Sequence, residues 1–211
     1  MATVTAPSEQ RIVLHDVSWD TYERLLADHL DSSAPRFTYD RRELEIGSPS
    51  TEHEQINRSM ALLVELIAIE FGMDVLNVGS MTFKRRDLAR GFEPDSSFYM
   101  QHEATPRDRP QIDLTVDPPP DLVIEIELTW SALPKLPIFA HLGVPEVWRW
   151  NGERLVILTL EDDTYVQREA SAALPPLTSA VLTELLLESR RLRRSEWVRR
   201  IQEWARGETP R

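Results

Sequence analysis

The chain has no cysteine, and its 211 residues include only seven glycines. Without cysteine, disulfide bonds and thiolate zinc sites are excluded. The glycines are scattered, so neither a glycine-rich phosphate loop nor a dinucleotide-binding fingerprint is present. No apolar run reaches the length of a membrane span, and residues 1–10 lack the basic-then-apolar order of a signal peptide. We therefore expect a cytoplasmic protein.

Positive charge is scarce and comes almost entirely from arginine. The net charge is -11, and only two of the 24 basic residues are lysines, Lys84 and Lys135. Residues 190–211 nevertheless contain eight Arg and three Glu, so this tail carries +5 and the remainder -16. The acidic balance opposes a nucleic-acid partner, because phosphate binding is driven by Lys and Arg. The basic tail is either a phosphate-binding surface or the solvated face of an amphipathic helix.

Hydrophobic periodicity predicts a single domain of the α/β (α+β) class, in which helices and strands alternate. Ser18 is the predicted cap of a helix to about Leu30, and Ser48-Pro49 is the predicted start of the longest helix, which Gly72 ends. A short helix is expected around Ile138 to Leu142, with Pro137 as the candidate first residue, and a C-terminal helical pair follows. We divide the chain into a flexible arm (1–14), a main domain (15–175) and a C-terminal helical extension (176–211). Predicted strands lie within residues 36–46, 73–83, 92–100, 120–128, 144–150, 155–160 and 164–167.

The segment Pro120–Leu128 is apolar but carries several carboxylates. Because side chains alternate along a strand, Glu125 and Glu127 share one face, opposite an aliphatic face. Burying these acids is costly unless a cation meets them. Asp95 begins an earlier apolar segment. If the two segments are adjacent strands, Asp95 and Glu125 provide a Mg²⁺ site that activates water at a phosphoryl group. The alternative is that these acids pair with arginines at a solvated edge of the sheet.

Four motifs, each weak alone, occur in an informative order: Ser48–His53, Phe92–Asp95, Asp121–Glu125 and Leu142–Trp148. In this order they resemble the Uma-two family of restriction-endonuclease-like proteins, over residues from about Tyr39 to Tyr165. The resemblance implies the PD-(D/E)XK nuclease-like fold, with a four-stranded mixed sheet flanked by helices and a metal bound at one edge.

The resemblance also implies roles for individual acids. Asp95 and Glu125 match the metal ligands of the family, and Glu52 matches a helix carboxylate that joins such sites directly or through water. Glu52 is equally well explained as an acid that complements the helix macrodipole. Glu127 stands where a strict motif has lysine, so it is either a third ligand or a counter-charge for Lys135.

Lys135 and His53 complete the candidate site. In this family a lysine from the following segment is thought to replace the missing motif lysine, and Lys135 fits that description. Its alternative is an exposed lysine beside Pro134. His53 resembles a position that is often His in the family, where it is either structural or bonded to a neighbouring carboxylate or phosphate.

These features together predict a Mg²⁺- or Mn²⁺-dependent endonuclease that hydrolyses phosphodiester bonds of DNA. Asp95, Glu125, Glu52 and Lys135 are the expected catalytic residues, and Asp95, Glu125, Glu52 and Glu127 the expected metal ligands. The missing motif lysine and the acidic charge leave open a catalytically inactive nuclease-fold module that binds DNA or protein. A homodimer is also expected, through apolar residues of the tail: Leu185, Leu186, Trp197, Ile201 and Trp204.

Overall fold

The computed structural model describes residues 9–208 except 31, 33, 108–111, 130 and 132. It has the α+β architecture that the sequence predicts. The helices are α1 (Trp19–Asp28), α2 (Thr51–Glu70), α3 (Ala104–Arg107), α4 (Lys135–His141), α5 (Ser179–Glu188) and α6 (Arg194–Glu208). The strands are β1 (Gln10–Leu14), β2 (Arg36–Asp40), β3 (Glu43–Ser48), β4 (Leu76–Asn77), β5 (Phe83–Arg85), β6 (Arg90–Phe92), β7 (Ser96–Tyr99), β8 (Leu122–Ile126), β9 (Glu146–Trp150), β10 (Leu155–Glu161) and β11 (Thr164–Arg168).

The strands form two sheets. One has five strands in the order β1-β3-β2-β6-β5 and is antiparallel throughout. The other has six strands in the order β11-β10-β9-β8-β7-β4, two more than the resemblance implied, and is mixed. Its parallel pair is β8 and β9, which α4 connects. Parallel neighbours need such a crossover, because a tight hairpin reverses the chain direction.

Strand β8 is buried on both faces, which explains its apolar sequence. Leu122, Ile124 and Ile126 pack in one core with α2, α5 and α6. Val123 points to the opposite side and packs in a second core with Phe139 of α4. The expected aliphatic face is confirmed, but the opposite face is also covered. The carboxylates of β8 therefore lie inside the protein.

Three local predictions need correction. The expectation of a loose arm is wrong for Gln10–Leu14, because these residues pair antiparallel with β3 along its outer edge; residues 1–8 lie outside the described part of the chain. Helix α2 begins at Thr51 rather than at Ser48-Pro49. Its N-cap is Ser50, whose side chain accepts a hydrogen bond from the His53 amide at 3.2 Å. Helix α4 begins at Lys135 rather than Pro137, and this places Lys135 in a helical first turn.

The C-terminal helices belong to the main core. Leu185, Leu186, Trp197 and Ile201 are buried and pack with α2 of the same chain, and Trp204 packs against this core at its edge. The prediction that these side chains form a dimer surface is therefore wrong, because their apolar area is already covered within the chain. The boundary at residue 175 stays a prediction. In the residues that the structure describes, we find no helix long and apolar enough to cross a membrane.

Candidate active site

The pairing of β7 with β8 brings Asp95 and Glu125 together. Ser96 is paired with Ile124, so the next position in this antiparallel register places Asp95 opposite Glu125. Directly opposed residues share a face of the sheet, with their Cβ atoms roughly 5 Å apart. Both side chains are buried, with residue exposures of 6% and 2%. The two acids that the sequence singles out are thus neighbours in a water-poor environment.

The Asp95 carboxylate is held from several directions. The amide of Ile126 donates to its Oδ2 at 2.6 Å, and Nε2 of His53 lies 3.1 Å from the same atom. Arg36 donates from Nη1 to Oδ1, while its Nη2 donates to Glu54 at 2.6 Å. A carboxylate that accepts charge-assisted bonds has little freedom to rotate. Asp95 is therefore fixed in position before any ligand arrives.

Glu125 is bonded to Lys135 through one oxygen. The Lys135 Nζ donates to Oε2 at 2.6 Å, from a side chain that is only 12% exposed. The other oxygen, Oε1, is buried and has no hydrogen-bond partner among the described residues. A buried carboxylate oxygen without a protein partner is open to a water molecule or an ion. The pair provides a positioned ammonium and one carboxylate oxygen with unused capacity.

His53 is a buried neutral imidazole. Burial lowers the pKa of His53 to about 3, and the positive charges of Arg36, Arg11 and Lys135 act in the same direction. A neutral imidazole carries one N–H, and the contact with Asp95 assigns it to Nε2. The His53 ring thus orients Asp95 as a hydrogen-bond donor, without adding a charge to the cluster.

This lowered pKa predicts a pH dependence of stability. The unfolded chain takes up a proton at His53 below its ordinary pKa of about 6.5, whereas the folded protein does so only near 3. The His53 contribution to stability is therefore complete above pH 6.5 and is lost as pH falls. We expect it to cost about 2 kcal/mol between pH 7 and pH 5. Urea melts at both values should show this loss in wild type and in an exposed control, His15→Gln, but not in His53→Gln.

Two predicted residues form their ion pairs outside this cluster. Glu52 is 57% exposed and pairs with Arg190 at 2.8 Å, because its side chain leaves α2 on a different side from that of His53. Glu127 follows the last residue of β8 and accepts from Arg149 Nε at 2.9 Å. Since Arg149 neutralises it, Glu127 is not the counter-charge of Lys135. The structure brings together Asp95, Glu125 and Lys135. Glu127 shares only a neighbouring cavity with Lys135, and Glu52 lies at the surface.

Glu45 was missed by the sequence reasoning. It lies in β3. Burial alone would raise the pKa of Glu45. Hydrogen bonds from Ser131 and Leu133, with the positive charges of Arg11 and Lys135, outweigh burial and lower this pKa. As a single acid between Leu44 and Ile46, it gave the sequence signal of an ordinary solvent-facing strand position.

Three charged residues before Tyr39, where the resemblance begins, also reach the site. Glu9, Arg11 and Arg36 line a small cavity with His53, Asp95 and Lys135. The cavity has about 20 Å³ of space, enough for about one water molecule. Strands β1 and β2 of the five-stranded sheet therefore contribute charged side chains to this cavity.

Comparison with known proteins shows the family of the chain. A family model described as "Uma2: Putative restriction endonuclease" matches residues 19–191. The chain belongs to the Uma-two family. A crystal structure described as a putative nuclease belonging to DUF820, from Anabaena variabilis ATCC 29413, is similar with a TM-score of 0.50. It is 15% identical in sequence, and the match covers 76% of this chain and 98% of that one. A search of curated proteins gave no match.

The likeness to the solved nuclease structure shows the fold, which is restriction-endonuclease-like as expected. Restriction-endonuclease-like proteins usually use divalent metals, so the side chains of the site must decide whether an ion fits here. Among the described residues, no group of three or more His, Asp or Glu is arranged as a metal site. Mg²⁺ usually takes only one or two protein carboxylates, completing its shell with water and substrate oxygens. Asp95 and Glu125 meet that requirement, and the partnerless Oε1 of Glu125 is a suitable hard ligand.

Proposed function

We propose that this Uma-two protein is a Mg²⁺-dependent endonuclease that hydrolyses phosphodiester bonds of DNA. The supporting observation is that Asp95, Glu125 and Lys135 lie together in one buried cluster. Asp95 and Glu125 would hold the ion, and Mn²⁺ is expected to replace Mg²⁺ because it accepts the same oxygen ligands. The chemistry that such an ion would supply there is the activation of a water and the stabilisation of negative charge on the phosphoryl group.

Each side chain has a task that follows from its contacts. Lys135 places an ammonium at Glu125, where it can balance the negative charge that develops on a phosphate oxygen. His53 and the Ile126 amide hold the orientation of Asp95. Burial strengthens these charge interactions, because the effective dielectric constant falls away from water. Glu52 is left out of the proposed ligand pair because it is exposed at the surface beside Arg190, and Glu127 because it lies beyond the end of β8 and pairs with Arg149.

The test is metal-dependent cleavage of plasmid DNA. We expect nicking in Mg²⁺ or Mn²⁺ and none in EDTA. The nicking rate of Asp95→Asn should fall at least about a hundredfold, because mutating even a residue that hydrogen-bonds to a metal ligand costs roughly 10–100-fold in activity. Asn preserves volume and one acceptor, and a thermal melt verifies that the variant folds. Asp163→Asn, an exposed change in the β10–β11 turn, is the matched control and should cleave like wild type. Equal cleavage by wild type and Asp95→Asn would trace the activity to a contaminant and contradict the proposal.

A second candidate function is a nuclease-fold module that binds DNA or protein without cleavage. The observation in its favour is that Arg36 and Lys135 already neutralise Asp95 and Glu125. An ion must compete with these internal cations for the same oxygens. Folded wild-type protein that binds DNA but leaves plasmid intact in Mg²⁺ and in Mn²⁺ would support this function over the first.

A further inference from the structure

The turn between α5 and α6 concentrates positive charge at the surface. Arg190, Arg191, Arg193 and Arg194 occupy four of five consecutive positions, and all are exposed. The family match ends at residue 191, so most of this turn lies beyond it. We call residues 190–194 the arginine turn. Because residues 1–189 carry -16, the turn is a positive region on a body that otherwise repels polyanions.

The two outer arginines fasten the turn to α2. Arg190 donates to Glu52 at 2.8 Å, and Arg194 donates to Ser59 at 3.1 Å. Glu52 and Ser59 are seven residues apart, about two helical turns, so they lie on the same side of α2. The guanidinium of Arg194 also stacks over the Trp197 ring, 4.8 Å from its centroid. These contacts fix the position of the turn.

The two inner arginines have no such use within the molecule. In the portion of the chain that the structure describes, the side chains of Arg191 and Arg193 make no ion pair, hydrogen bond or ring contact. Leu192 between them is 38% exposed. Guanidinium groups held on a fixed backbone but left without carboxylate partners are suited to phosphate oxygens, which they bind with two parallel N–H bonds.

The anchoring contact also ties the turn to the helix that carries His53. Glu52, the partner of Arg190, immediately precedes His53, whose ring contacts Asp95. We propose that the arginine turn is a docking surface for the DNA phosphate backbone, fixed by the Glu52–Arg190 pair and contacting phosphates through Arg191 and Arg193. This inference rests on the proposed function and adds where the substrate is held. It also gives Glu52 a positioning role in place of the predicted role as a metal ligand.

Binding measured without metal separates this inference from cleavage. A fluorescein-labelled DNA duplex of roughly 30 base pairs is titrated with intact protein in EDTA at several salt concentrations, and binding is followed by anisotropy. The double variant Arg191→Gln/Arg193→Gln should bind on the order of tenfold more weakly at low salt. Its slope of log affinity against log salt should be shallower by about 1.8, because each phosphate contact contributes about 0.9. Arg24→Gln/Arg168→Gln makes the same charge change on α1 and β11 and should behave like wild type.

Each other result overturns the inference. An equal loss in both double variants would reflect net charge alone, and no loss in the arginine-turn variant would place the DNA elsewhere. Displacement of DNA by poly-glutamate at equal charge would assign the turn to an acidic protein partner. Absence of wild-type binding even at low salt would also refute the inference. Plasmid cleavage, scored separately, decides the proposed function whichever of these is seen.

Discussion

Replacing Glu146 with alanine is expected to destabilise the protein by at least about 4 kcal/mol, since each buried donor left without an acceptor costs about 1–3 kcal/mol. The Glu146 carboxylate is buried in β9 and accepts hydrogen bonds from Trp148 Nε1 and Ser171 Oγ, each at 2.6 Å. It also accepts from the amides of Ala172 at 2.6 Å and Ala173 at 3.3 Å. One side chain therefore fastens the segment that leads to α5 onto the mixed sheet.

The measurement is urea unfolding of Glu146→Ala beside Glu153→Ala. Glu153 is an exposed acid in the turn after β9, so its removal should change stability by less than about 0.5 kcal/mol. A loss below about 1 kcal/mol in Glu146→Ala would mean that water replaces the carboxylate, and would contradict the structural role. Glu146 belongs to one of the motifs that carry the family resemblance. The experiment therefore distinguishes Glu146, a motif residue that stabilises the fold, from Asp95 and Glu125, the motif residues of the candidate site.

The regular elements were predictable because their signals are local. The apolar stripe of α2 needs only helical periodicity, and Gly72 at φ 68° ends the helix as expected. The β10–β11 hairpin is likewise confirmed. Strand β1 was missed because it is an edge strand, half-exposed along its length, whose pairing supplies mostly backbone hydrogen bonds. Such a strand has little apolar pattern to detect.

The candidate site was predictable only in part. Asp95 and Glu125 followed from alternation and from the family motifs, and the register of two neighbouring strands brings them together. The cations around them were harder to find. Arg36 reaches Asp95 across 59 residues of chain, from the other sheet, and 22 arginines gave no means of choosing it. Glu52 shows the limit of residue-by-residue transfer, because its side chain was free to pair with Arg190 outside the matched motifs.

Lys135→Met is expected to destabilise the protein by about 3 kcal/mol and to abolish cleavage. Removing one partner of a buried ion pair leaves the other charge uncompensated, at a cost of roughly 3–5 kcal/mol. Here the remaining charge is on Glu125, which is 2% exposed. Adding Glu125→Gln removes that charge and should recover at least half of the lost stability. The same double variant should remain inactive, because both the proposed ligand and the ammonium are absent.

The chain provides its own control, because its only other lysine is Lys84. Lys84 pairs with Glu23 at 3.1 Å, and each of the two side chains is more than a third exposed. Lys84→Met should therefore lower the free energy of unfolding by less than about 1 kcal/mol and retain cleavage. Urea melts and plasmid nicking are measured on wild type, Lys135→Met, Glu125→Gln and the double variant. This double-mutant cycle separates the role of the pair in stability from its role in cleavage. Additive destabilisation in the double variant would show that Lys135 and Glu125 are not a coupled pair. Recovery of stability without recovery of cleavage would mean that Lys135 and Glu125 act in cleavage as well as stabilising the fold.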